Sequence, residues 1–158
     1  MNDFVGIILG GAIAFVGGVV GGMFLERMSQ RFSRTERKLH YLEEICSGAL
    51  RAKRTAMTYG VVAARPDTEL SSEHLTEIAD HILMKAELHV PELVDGARDL
   101  SQRAGNVVES WIAFMEDQIK SRSSDEDFKA RVVEPIRSVH EACDGLIKQS
   151  RGLAAALK

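Results

Sequence analysis

The sequence predicts an all-α protein: one N-terminal transmembrane helix that continues into a cytoplasmic antiparallel bundle of three to four helices. Three observations carry this expectation. Residues 4–25, FVGIILGGAIAFVGGVVGGMFL, contain no charged or polar side chain, and about 20 apolar residues at 1.5 Å each cross a bilayer core of roughly 30 Å. Beyond residue 26, apolar residues recur three and four apart, which is the spacing of one buried helical face. Pro66, Pro91 and Pro135 are the only prolines in the 158 residues, and no stretch alternates apolar and polar over a strand's length.

The apolar run is sorted by size as well as by polarity. Gly6, Gly10, Ala14, Gly18 and Gly22 form a ladder at four-residue spacing. At about 100° per residue, Gly11, Gly17 and Gly21 fall on the same arc of roughly 160°. Ile8, Leu9, Ile13, Phe15, Val16, Val19 and Val20 take the opposite arc, and Ile7 interrupts the smooth face. In lipid no hydrophobic gain draws helices together, so association depends on close backbone approach, which small-xxx-small faces permit. The expected oligomerisation face of this glycine zipper is therefore Gly6, Gly10, Ala14, Gly17, Gly18, Gly21 and Gly22. Its width hints at two neighbours per helix. No residue of the run is of a type that lines an ion pathway, which argues against a standing aqueous pore.

Charge sets the expected orientation. The net charge of −3 divides unevenly: residues 26–54 hold eight basic groups against four acidic, and residues 55–158 hold twelve against eighteen. No Lys or Arg precedes the span, and Arg27, Arg31, Arg34, Arg37 and Lys38 follow it. The positive-inside rule then places the N-terminus outside and the C-terminus in the cytoplasm, as a single-pass protein of the plasma (inner) membrane. An acidic n-region, a long apolar run and the absence of a small-x-small site favour an uncleaved signal anchor over a cleaved signal peptide. Arg27, Arg31, Arg34 and Lys38 recur at helical spacing and are candidates for contact with anionic lipid head groups, each worth about 1 kcal/mol. Topology alone accounts for them equally well.

The resulting layout is an outside tail at 1–3, the span at 4–25, a basic membrane-proximal helix at 26–65 that enters the bundle, and the remaining helices at 66–158. On the first helix the expected coiled-coil seam is Phe32, Thr35, Leu39, Leu42, Cys46, Ala49 and Ala56, ending near residues 63–65 because Pro66 disfavours helical geometry just before it. A second helix should turn Leu75, Ile78, Ile82 and Leu88 inward. A third, starting at Pro91, should bury Val94, Ala97, Leu100 or Ser101, Ala104, Val108, Trp111, Met115 and Ile119. Residues 72–121 could instead be one long helix kinked at Pro91, but that rod would overshoot its partner, which favours four helices. The last helix should follow a polar connector at 121–124, with acidic residues in its first turn. It should bury Phe128, Val132, Ile136, Val139, Cys143, Leu146 and Leu153, with Pro135 kinking it unless the helix starts later.

Catalytic patterns are missing from the sequence. His74, Glu77 and His81 share one helix face, but the paired Glu-x-x-His arrangement of bundle metal sites is absent, as are HExxH and CxxC. No nucleophile elbow, P-loop or dinucleotide glycine pattern occurs. Cys46 and Cys143 are the only cysteines, and both read as small core thiols of a reduced compartment. The acidic outer part and the lack of a basic, aromatic-bearing helix argue against nucleic acid. The expectation is a non-catalytic protein with no metal or cofactor. Its expected partners are the bilayer, further copies of itself, and a protein bound to the cytoplasmic bundle. The leading reading is a self-associating scaffold or interaction protein. The alternative is a membrane-disrupting effector, holin- or toxin-like, whose spans rearrange on triggering.

Overall fold

The computed structural model describes residues 2–65, 74–119 and 124–157, with side chains described at residues 26 and 29 and from 32 onward within those ranges. The chain divides into two units, Met1–Arg37 and Lys38–Lys158. Helix α1 (Asn2–Ala64) supplies the first unit and the first arm of the second. Among the described residues no helix is long and apolar enough to cross a membrane. The side chains of the 4–25 run lie outside the described residues.

The second unit is a helical bundle built from α1 and four further helices: α2 (Leu75–His89), α3 (Val94–Ile119), the short α4 (Asp125–Phe128) and α5 (Glu134–Ala156). Two prolines decide its breaks. Val90 leaves helical geometry at φ −140°, ψ 69°, as the residue before a proline tends to. Pro91–Leu93 then makes a 3₁₀ turn into α3. The segment that could have been one kinked rod is thus two helices, and the corner is packed, since Val90 and Leu93 are fully buried.

Pro135 is handled differently. Between α4 and α5 the chain forms a π-turn, Lys129–Val133, in which the Glu134 N–H donates five residues back to the Lys129 carbonyl. A proline inside a helix lacks an N–H and crowds the carbonyl four residues earlier. Widening the preceding turn is a known way to absorb such a mismatch. Pro135 therefore falls at the first turn of α5, where its missing donor is tolerated. The start of this arm is fixed by a capping box: the Ser124 hydroxyl accepts from the Asp127 N–H, and the Asp127 carboxylate accepts from the Ser124 N–H at 3.0 Å.

Cross-helix pairs set the directions. The Lys38 ammonium meets Glu92, Lys85 meets Glu44, and Tyr41 stacks on His89, so α2 returns antiparallel along α1. Ser101 donates to Asp80, and Arg98 faces Glu87, so α3 turns back along α2. Lys53 is bonded to Asp144, while a Cβ on Gly60 would touch Ile136, so α5 runs antiparallel to α1. This is up-down-up-down order.

The main core joins all four arms. On α1 its seam is Leu42, Ile45, Ala49, Ala52, Ala56 and Tyr59, in strict three-four steps and half of it alanine. Small side chains let helices approach closely, and Gly48 takes this further: a Cβ there would lie 2.8 Å from Ile82 Cγ1. A smaller cluster of Ala63, Phe114 and Val132 closes the far end, with Trp111 and Ile136 packed against both clusters.

Several side chains expected inside lie outside. Phe32 is 68% exposed, Leu88 67% and Ile119 83%. The rest of the expected faces is largely buried: Leu42, Ala49 and Ala56 on α1, Leu75, Ile78 and Ile82 on α2, Ala97, Leu100 and Ala104 on α3, and Val139, Cys143 and Leu146 on α5, joined by Ile45, Ala52, Tyr59, Ala86, Val107 and Phe114, which the expected seams left out. On α1, Leu39 and Cys46 are half-buried rather than central.

Candidate functional site

The surface that stands out is on the outward side of α1. Leu39, Cys46, Leu50, Met57 and Val61 recur in steps of seven and four. At about 100° per residue they occupy an arc of roughly 60°, some 120° round from the alanine seam. Leu50 is 47% exposed, Met57 56% and Val61 50%. A helix that is apolar on two separate faces has more to bury than its own bundle covers.

Part of this stripe floors a groove between α1 and α5 of about 460 Å³. Leu39, Leu42, Cys46 and Leu50 come from α1, and Ser150 and Ala154 from α5. Its charged residues are opposite in sign: Glu43 stands on the α1 wall and Arg151 on the α5 wall, both exposed. The buried Ser150 hydroxyl donates to the Leu146 carbonyl at 2.8 Å, so it is satisfied within its own helix.

The residues singled out from the sequence are placed as follows. The side chains of Gly6, Gly10, Ala14, Gly17, Gly18, Gly21, Gly22, Arg27 and Arg31 lie outside the described residues. Arg34 is exposed. Lys38 is turned toward the bundle, where its ammonium is bonded to Glu92 and holds that carboxyl below the usual range. Lys85 does the same to Glu44 at 2.9 Å, and His40 lies 3.6 Å from the same carboxylate. Of the two candidate head-group cations whose side chains are described, Arg34 thus faces solvent and Lys38 the edge of the α1–α2 seam.

The thiols are free. Burial pushes the Cys143 thiol up to about 11, with Lys53 working against it and Asp144 adding to it. His74 precedes α2 without capping through its side chain, and His81 is exposed. His89 lies flat on Tyr41 with centroids 3.7 Å apart. His140 Nε2 sits 3.1 Å from the Lys53 carbonyl. Among the described residues no group of three His, Cys, Asp or Glu is placed to hold a metal ion.

Trp111 meets Tyr59 edge to face at 5.3 Å, and burial raises the Tyr59 hydroxyl above its ordinary value. Among the described residues the Trp111 indole N–H is the buried side-chain polar group with no acceptor. A second hollow between α3 and α5 holds Asp99, Arg103 and Glu141. There Arg103 is engaged by Asp99 at 2.9 Å and by the Ser138 carbonyl at 3.2 Å. That arrangement ties two helices together.

Comparison with protein families, with curated proteins and with solved structures returns no match. The outward stripe was missed in the sequence because a single seam was sought on α1. Its signal was present: Leu50, Met57 and Val61 fit no place on that seam, yet keep a helical spacing among themselves.

Proposed function

We propose that this chain is a membrane-anchored, self-associating helical scaffold or interaction protein, held in the plasma membrane by residues 4–25, with its bundle in the cytoplasm and no catalytic step of its own. The observation that carries the reading is the 4–25 run: no charged or polar residue, and every glycine on one side with Ala14. Such a segment anchors by its length and pairs by its shape. Positive charge immediately after the run supports the orientation, and Arg27, Arg31 and Arg34 remain candidates for anionic head groups. The outward apolar stripe of α1 supports a role in binding other chains.

The test is made on the full-length protein in bacterial membranes. Chemical crosslinking should give oligomers, and Gly10→Ile with Gly18→Ile should abolish them by blocking close approach. Val16→Ile with Val20→Ile should change little. A reporter that is active only outside the cytoplasm should stay silent at Lys158. Unchanged crosslinking of the glycine variant removes the ladder as the interface. Rapid loss of membrane potential on induction replaces the scaffold with the membrane-disrupting effector.

A further inference from the structure

We propose that the outward stripe of α1, with the groove beside it, is a self-docking surface that receives the same stripe of a second copy of this chain, arranged parallel. This rests on the membrane-anchored, self-associating reading above and names the surface that the cytoplasmic bundles share.

Charge and geometry point to that occupant. Because α5 is antiparallel to α1, Arg151 near the end of α5 stands at the level of Glu43 near the start of the α1 arm, across the groove they both line. A two-fold axis parallel to α1 and passing in front of the stripe exchanges the two walls. Glu43 of each copy then meets Arg151 of the other, and Leu50, Met57 and Val61 meet their own equivalents. An isologous contact requires a surface that is complementary to itself in this way. A shared membrane anchor supplies the parallel arrangement, since it fixes which end of every copy faces the bilayer.

Area sets the strength. Five stripe residues are few beside the roughly 20–30 per side of a stable interface. The stripe therefore closes only where copies are already concentrated, as in a bilayer, where tethering raises the effective concentration without any new contact. Leu50, Met57 and Val61 lie outside the bundle core, which α1 closes through Leu42, Ile45, Ala49, Ala52, Ala56 and Tyr59.

The experiment uses the full-length protein in membranes, carrying Cys46→Ser and one new cysteine at a time. Leu50→Cys and Met57→Cys should form disulfide-linked dimers under mild oxidation. Met84→Cys and Leu88→Cys on α2, which are equally exposed, should not. Arg151→Glu should lower the Met57→Cys crosslink by roughly fivefold, the upper range for rim charge pairs, and adding Glu43→Arg should restore it. Stoichiometry is counted separately, by single-molecule photobleaching in vesicles. Oligomers without crosslinks at 50 and 57 overturn the stripe and leave the assembly reading standing. Crosslinks equal at 57 and 84, or no rescue by the charge swap, also overturn it. A monomer by photobleaching overturns the assembly reading and the stripe together.

Discussion

The two faces of α1 differ in how they mix side-chain sizes. The face turned into the bundle sets Ala49, Ala52, Ala56 and Ala63, with Gly48 beside them, among Leu42, Ile45 and Tyr59, while the face turned outward carries Leu39, Leu50, Met57 and Val61. A helix optimised for its own bundle alone would place its larger side chains inside, where each gains about 1.5–3 kcal/mol from burial. Here the middle of the inner face, Gly48 to Ala56, is made for closeness, while the outer face carries larger apolar side chains exposed to solvent. The difference teaches that the inner contact was shaped by the distance between backbones, and that the outer one is left unsatisfied by this chain's own helices.

The largest effect that could break this comparison comes from exchanging the logic of the two faces. Ala52→Leu forces three extra carbons into a fully buried position and should destabilise the bundle by about 3 kcal/mol. Met57→Ala should change it by no more than about 0.5 kcal/mol. Thermal unfolding in detergent, followed by circular dichroism, checks both. Equal losses at the two positions would mean that the outer face is also core.

Glycines sharpen the point. Gly48→Val should cost about 2 kcal/mol, because even a Cβ there meets the buried Ile82 at 2.8 Å. Gly145→Ala, where nothing lies within 4 Å, should instead stabilise by about 0.5–1 kcal/mol through helix propensity. Denaturant midpoints of the two variants should move in opposite directions.

Much of the architecture was legible from the sequence, and the reason for the remainder is specific. Prolines and three-four spacing located the end of α1 before Pro66 and the break at Pro91, since backbone geometry is written into those residues directly. The buried face of α1 was legible at Leu42, Ala49 and Ala56 but not at Ile45, Ala52 and Tyr59, because a single row of residues was followed where the buried face is two rows wide. Of the expected seam, Leu42, Ala49 and Ala56 belong to the buried face, while Leu39 and Cys46 belong to the outward stripe. The break at Pro91 followed the rule for residues preceding proline. The π-turn at Lys129–Val133 shows that Pro135 was a valid warning whose consequence was a widened turn at the start of α5.

The smallest effect concerns acid. Lys85 lowers Glu44, and Lys38 lowers Glu92. A carboxyl depressed in the folded state contributes stability above its unfolded value, and that contribution is lost as pH falls through the folded one. Stability should therefore hold from neutral pH down to about 4 and decline below it. Lys38→Met and Lys85→Met together should flatten that acid limb. An unchanged limb would assign it to other carboxylates.

Cys143 has a use that follows from its place in the α5 seam. Its thiol is fully buried and raised to about 11, and the thiolate is the form that reacts with alkylating reagents. In the closed bundle it is screened twice over, by packing and by protonation. With Cys46 replaced by serine, the rate at which this one sulfur is alkylated becomes a clock for how often α5 lifts away from its neighbours, readable by mass in an intact membrane.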